Sequence, residues 1–310
     1  MKPLLIVNPR AAGSRTGKAF VATAAAVNAV LGPVDVQLTA RRGHAAELAR
    51  AAADGGRELV VAVGGDGTLS EVVNGVLGSG RSRTEVGLIA QGTGGDFRRS
   101  LGIGRSVSEC LAAIASGRRR HVDVGVLTCR QADGTMATRY FLNIVSAGMG
   151  GLVDQYIAAT PAWVGGRTGY YVAAIRATWR CPEARLRCRL EFGEQHEDVA
   201  LRARVVAVCN GRFFGSGMQM APMAEVDDGV FEVISVTQPT RLHMMARSRS
   251  IYDGSHLRIA GVRHFRCNRI AVDLEDEALR LQFPLDVDGE ALGWLPMTVE
   301  VLPAALVVRA

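Results

Sequence analysis

No run of about 18 uninterrupted apolar residues occurs in this 310-residue chain, so a membrane-spanning helix is not expected. The amino-terminal apolar stretch, Leu4 to Val7, is too short for a signal peptide and passes directly into fold pattern. The six cysteines include no Cys-x-x-Cys pair and no histidine at metal-ligand spacing, which argues against structural zinc. Cys110, Cys129, Cys188 and Cys209 lie in apolar or alternating contexts and read as buried free thiols in a reducing cytosol. Aromatic residues make up 5% of the chain and are not interleaved with its arginines, so nucleic acid is a poor fit. There is no internal repeat or low-complexity segment, and 48% hydrophobic content is that of a packed globular protein.

Acidic residues are outnumbered, 30 against 36 basic, for a formal charge of +6. The arginines cluster at Arg98-Arg99, Arg118 to Arg120 and Arg180 to Arg189. Such clusters fit an anionic membrane surface or a solvated face equally well.

What the chain does contain is a pronounced turn. Val60 to Val63 has strand character, Gly64-Gly65-Asp66-Gly67-Thr68 follows, and a helix opens through Leu69, Ser70 and Glu71. Glycines allow positive φ and close approach of an anion, and the helix points free N–H groups at it. The expected guest is a phosphate. Taken alone, the motif also fits a plain strand-to-helix connection capped by Asp66 or Thr68.

Around that turn the first 125 residues alternate strand and helix. Strands are expected at Leu4 to Val7, Val34 to Thr39, Glu58 to Val63, Val86 to Ala90 and Val122 to Leu127. Helices are expected at Gly17 to Leu31, His44 to Ala53, Leu69 to Leu77 and Val107 to Ala115. Repeated βα units imply a parallel sheet with helices on both faces, and ligands at the carboxyl ends of its strands. Asn8, Thr39, Gly64 to Thr68 and Gly92 to Asp96 all fall at such ends.

Beyond about residue 125 the texture becomes β-rich, with strands expected at Tyr140 to Ser146, Arg185 to Phe192, Leu201 to Cys209, Val230 to Val236, Arg269 to Leu274, Ala278 to Val287 and Met297 to Leu302. Alternation such as Leu279 to Phe283 suggests antiparallel sheet with one face on a core. Helical pattern interrupts it at Leu152 to Arg180 and Arg241 to Tyr252. Tyr156 to Trp179 holds two of three tryptophans and three of five tyrosines. That stretch fits the lip of an apolar cleft at a membrane interface, or an ordinary packed helix.

Five segments share one explanation: Asn8-Pro9, the Gly64 turn with Glu71 and Asn74-Gly75, Gly92-Thr93 with Asp96-Phe97, Asp228-Gly229, and Asp288-Gly289-Glu290. In order and spacing they resemble the diacylglycerol kinase catalytic-domain family, which includes sphingosine and ceramide kinases, and in particular its stand-alone bacterial members. The resemblance covers nearly the whole chain. It implies a three-layer α/β domain over 1–125, a β-sandwich over 126–300, a last strand (300–310) returning to the first domain, and a cleft active site.

By the same resemblance, Gly64, Gly65, Asp66, Gly67, Thr68, Leu69, Ser70 and Glu71, with Asn8, Thr39 and Thr93, would line an ATP site. Asp228 would hold Mg²⁺ with carbonyl help from Glu225 and Val230. Glu290 would be the base that takes the proton from a lipid hydroxyl, and Asp96 and Asp123 would support it. Diacylglycerol is the default acceptor, with ceramide and sphingoid bases open. The expected partners are a lipid substrate and an anionic membrane surface, from a cytoplasmic position at its inner face; a homodimer is left open. One departure stands out: Gly95 occupies the place of the family's usual asparagine, which leaves acceptor identity less determined than kinase chemistry. Two other readings stay open, an NAD kinase sharing the Gly-Gly-Asp-Gly turn and a non-catalytic regulator. The filled positions Asp66, Asp228 and Glu290 favour catalysis.

Overall fold

Short apolar runs become parallel strands in the first half of the chain because both faces of the sheet are covered. The computed structural model describes residues 2–11, 23–80, 83–92, 94–160, 167–237, 240–246 and 248–310, with backbone alone at 167–168, 170–171, 241 and 246. Strands β1 (Leu4–Val7), β2 (Asp35–Leu38), β3 (Leu59–Gly64) and β4 (Glu85–Ala90) pair in parallel in the order β4-β3-β1-β2. Every residue of β1 and β3 is buried, whereas edge strand β2 is largely exposed.

The helices of this half are α1 (23–31), α2 (His44–Asp54), α3 (Asp66–Gly78), α4 (Asp96–Ser100) and α5 (Val107–Ala115). Ser106 and Glu109 form a capping box at the start of α5. Helices α2 and α3 meet at Gly75, where an added β-carbon would stand 2.2 Å from the Ala46 carbonyl oxygen and 2.8 Å from Ala49 Cβ. Gly75→Ala is therefore expected to push the helices apart and cost about 1–3 kcal/mol, read as a lower denaturant midpoint.

The second half is antiparallel. It comprises β5 (Arg119–Arg130), β6 (Met136–Phe141), β7 (Ile144–Gly148), α6 (Met149–Ala158), α7 (Arg167–Arg180), β8 (Ala184–Phe192), β9 (Gln195–Ala203), β10 (Val205–Cys209), β11 (Phe231–Val236), α8 (Arg241–Ala246), β12 (Val262–Cys267), β13 (Arg269–Leu274), β14 (Pro284–Val287) and β15 (Glu290–Arg309). Inward residues Val145, Val206, Phe231 and Leu285 face Leu186, Leu201, Ile270 and Val299 across one core. That is the layering of a β-sandwich. Along β8 buried and exposed residues alternate, as a one-sided sheet requires. Among the described residues no helix is long and apolar enough to cross a membrane. All six cysteines are free and buried.

Strand β15 joins the two halves. Met297 to Leu302 pairs with β5, and Met297 to Glu300 also pairs with β13. After a register shift between Leu302 and Leu306 the strand continues along Arg119 to Val122 and lies parallel to β4 at Val308 and Val86. Ala304, at the shift, has φ 51, and its N–H donates to Asp123 Oδ1 at 2.8 Å. The other oxygen of Asp123 accepts from Gly229 N at 2.6 Å.

Several expected elements differ. Residues Glu277–Gln282 form a 3₁₀ helix capped by Asp276, not the start of a strand. Five alternating residues satisfy that short helix as well as a strand, and Leu281 is solvent-exposed. The strand expected over Tyr140 to Ser146 breaks between β6 and β7, and that over Leu201 to Cys209 is divided between β9 and β10. The helical pattern over Leu152 to Arg180 resolves into α6 and α7, with 161–166 outside the described residues. That over Arg241 to Tyr252 becomes α8 and a 3₁₀ turn at Ser248–Ile251.

Candidate active site

The carboxyl ends of β1, β2, β3 and β4 come together at one edge of the sheet. Asn8 N donates to Val63 O, Thr39 N to Val7 O and Gln91 N to Gly64 O, which holds the four ends level. Helix α3 begins directly at Asp66, and Gly65 at its N-cap has extended backbone and no side-chain cap. Its first N–H groups are thus left for a ligand, and neither Asp66 nor Thr68 caps it. Gly65 lies against the second glycine loop so closely that a β-carbon on Gly92 would fall 2.4 Å from Gly65 Cα. A β-carbon on Gly94 would fall 2.4 Å from Asp66 Oδ2. Only glycine fits at Gly92, where the clash is with backbone, and a side chain at Gly94 would displace the Asp66 carboxylate.

Carboxylates fasten these loops. Asp66 accepts from Gly95 N at 2.7 Å and Asp96 N at 3.1 Å. Asp96 in turn accepts from Arg99 at 2.5 Å and from Ser216 N at 2.9 Å, tying the glycine loop to the second domain. Burial, then the charge of Asp66, pushes the Asp96 pKa up against those two donors. Glu71 accepts from Gly43 N and Ala45 N, so it caps α2 and fixes the loop that carries Thr39. Asn8 Nδ2 donates to Thr68 Oγ1 at 3.1 Å.

Glu290 arrives from the far side on a two-residue hairpin. Val287 pairs with Glu290, and the intervening Asp288 and Gly289 have φ 50 and φ 86, as a type I′ turn demands. The Asp288 carboxylate accepts from the N–H groups of Leu142, Asn143 and Ile144, at 2.8, 2.9 and 2.9 Å. Desolvation in the partly closed site raises its pKa to about 6, against the pull of those three bonds. The break between β6 and β7 is where these three amides turn to meet Asp288.

One cavity of about 1140 Å³ joins both sides. Its polar end is lined by Asn8, Thr39, Gly65, Asp66, Gly67, Thr68, Glu71, Asp96 and Glu290. Its apolar end runs into the second domain past Ile144, Met149, Val153, Met218, Met220 and Ile251. Gly64, Leu69 and Ser70 stand behind the turn, with Leu69 in the core. Thr93 lies outside the described residues. Asp123 does not line the cavity; it is buried and clamps the β15 shift and Gly229.

Sequence reasoning passed over Asp154 and Asp286 on the cavity wall. They hydrogen-bond to each other, and Asp286 also accepts from Gly289 N and Ser146 Oγ. Burial first, then the Asp154 charge, pushes the Asp286 pKa well above the carboxylate range; burial and Glu290 raise that of Asp154. A raised native pKa contributes stability that is present in acid and lost as pH rises through it. Asp286→Asn is accordingly expected to gain thermal stability over the parent between pH 5 and pH 8, by about 2–4 °C for each kcal/mol relieved. A thermal melt series across pH reads it.

At the expected metal position the one carboxylate, Asp228, already has both oxygens engaged. Asp228 Oδ1 accepts from Val230 N, and Oδ2 pairs with Arg266 at 3.3 Å, while the same guanidinium pairs with Glu232 at 3.2 Å. Among the described residues no group of three or more His, Cys, Asp or Glu is arranged to hold a metal. Arg266 supplies positive charge at the place assigned to Mg²⁺. A chelator should leave the unfolding midpoint of the protein unchanged without nucleotide, and a drop would restore the metal.

Comparison with known proteins settles the family. Residues 2–127 match the diacylglycerol kinase catalytic domain, and 143–310 match the YegS C-terminal NAD kinase beta sandwich-like domain. The chain belongs to the diacylglycerol kinase catalytic-domain family of lipid kinases. It is 28% identical over 278 residues to the "Probable lipid kinase YegS-like" of Chromohalobacter salexigens, covering 89% of this chain and 83% of that one. It is 26% identical over 256 residues to the diacylglycerol kinase of Bacillus subtilis (strain 168), covering 82% and 78%. A crystal structure of a diacylglycerol kinase from Bacillus anthracis str. Sterne shares the fold, with TM-score 0.71 and 23% identity over 99% of this chain and 96% of that one. Yeast NADH kinase is a more distant likeness of fold, at TM-score 0.51 and 11% identity over 99% and 82%.

Proposed function

We propose that this kinase transfers the γ-phosphoryl group of ATP to the hydroxyl of a lipid, with diacylglycerol as the first acceptor to test. The observation that carries the reading is the single cavity. It runs from the open amides of α3 into a chamber walled by Ile144, Met149, Val153 and Met218, with Glu290 where the two meet. Phosphoryl transfer depends on alignment and charge neutralisation more than on covalent help. The amides at Gly65 to Thr68 and the α3 dipole would hold the phosphates. Glu290 would accept the proton of the lipid hydroxyl as its oxygen attacks phosphorus, and ADP would leave. Mg²⁺ is proposed to arrive with the nucleotide as its complex. The apolar chamber favours a lipid over NAD, despite the likeness of fold to NADH kinase.

The lipid would enter from an anionic membrane surface at the cytoplasmic face. Ile157 and Ile175 line the cavity yet are 39% and 45% exposed, beside exposed Val172 and Trp179. Arg176 stacks over Tyr156 at 4.4 Å. Of the aromatic stretch read from sequence, Trp163 and the side chains of Tyr170 and Tyr171 lie outside the described residues. The decisive experiment offers labelled ATP and Mg²⁺ with diacylglycerol, ceramide or sphingosine in mixed micelles, and NAD in a parallel tube. Label on a lipid supports the reading. Label on NAD alone, or on nothing, overturns it.

A further inference from the structure

The two oxygens of Glu290 differ in their surroundings. Oε2 is gripped by two guanidiniums, Arg42 Nη2 at 3.0 Å and Arg139 Nη2 at 3.1 Å. Oε1 faces the glycine turn, where a β-carbon built on Gly67 would stand 3.9 Å away. A carboxylate anchored at one oxygen and free at the other has its direction fixed. The free oxygen points toward the place where a phosphate held by the turn would meet an acceptor.

The two arginines are not equivalent. Arg139 projects from strand β6, and its side chain is 28% exposed. Arg42 comes from the loop between β2 and α2, next to Thr39 and on the phosphate side of the cavity, and its side chain is 74% exposed. An ion pair held by so exposed a side chain is worth little, because solvent screens it and ordering costs entropy. A triphosphate in the glycine turn carries several negative charges and accepts bidentate bonds from a guanidinium. It would outcompete one carboxylate oxygen for Arg42. It has no such hold on Arg139, which comes from a paired strand.

We propose that Arg139 is the fixed positioning residue of Glu290, and that Arg42 is exchangeable. Arg42 pairs with Glu290 in the free protein and turns to the phosphates when a nucleoside triphosphate binds. The carboxylate then keeps its aim through Arg139 and is open to the acceptor hydroxyl. This assignment rests on the reading of Glu290 as the base.

The two roles give different kinetic signatures. In calorimetry with ATP and no acceptor, Arg42→Ala is expected to weaken binding by about tenfold, the loss of one charged hydrogen bond, and Arg139→Gln to leave it unchanged. In turnover, Arg139→Gln is expected to lower kcat by about a hundredfold with the KM for ATP unchanged, and Arg139→Lys to recover part of it. Added to Glu290→Gln, Arg139→Gln should cost little more, because both act through one group. Wild-type ATP binding by Arg42→Ala overturns the exchange. A full Arg139→Gln penalty in the Glu290→Gln background overturns the positioning role. If the parent phosphorylates no lipid, the lipid-kinase reading fails separately, because the calorimetric arm and slow ATP hydrolysis still report on both arginines.

Discussion

Glu290→Gln should lower kcat by about 10²- to 10⁴-fold while ATP binds as before, the usual reach of a lost general base. The substitution keeps size and shape. It keeps a carbonyl oxygen for Arg42 and Arg139, so the hairpin is not asked to move. What it removes is the capacity to take a proton at the oxygen facing Gly67. The other carboxylates described above at the glycine turn are already engaged, Glu71 by Gly43 N and Ala45 N. Asp66 has both oxygens engaged by backbone amides, and Asp96 is held by Arg99 and Ser216. Turnover near the parent's would remove Glu290 from the chemistry. Turnover lost together with ATP affinity would make it a binding residue.

The second large effect lies two residues away. Asp288→Ala should cost about 3–5 kcal/mol, because three buried N–H groups lose one acceptor at once. The replacement also places alanine at φ 50, a left-handed conformation that it adopts less readily than aspartate. Leu142 and Asn143 lie between β6 and β7 and Ile144 opens β7, so the loss should loosen the seam where Glu290 enters. A chemical-denaturation midpoint measures the stability change, and kcat should fall with it even where the protein remains folded. A midpoint equal to the parent's would mean that water replaces the carboxylate, and the hairpin would then owe its position to strand pairing alone.

Much of this was legible in the residues. The βα alternation, the Gly64 to Thr68 turn and the Asp288-Gly289 hairpin are local signals, each set by a few neighbours and by glycine's freedom. The partners of those signals were not legible. Glu71 stands in the turn motif, yet its carboxylate leaves the ligand side to cap α2. Asp123 reads as one more acid of the site, yet both its oxygens are consumed by backbone at a strand shift. Arg139 and Glu290 are 151 residues apart, and no periodicity links them. The strand expected at Leu279 failed for the opposite reason, because five alternating residues carry too little information to separate a strand from one 3₁₀ turn.

Strand β15 also dictates an order of events. Leu306 and Val308 belong to the amino-terminal core, packed with β1, β3 and β4, although nearly the whole chain separates them from those strands. A ribosome releases the glycine turn well before these two residues. The half that carries the glycine turn must therefore wait, its β4 and β5 lacking a neighbour, until the other domain has been made. Contacts of such long sequence separation close late and slowly. The proposed nucleotide site and acceptor chamber thus mature together, and the half that carries the glycine turn is completed only after the half that walls the chamber.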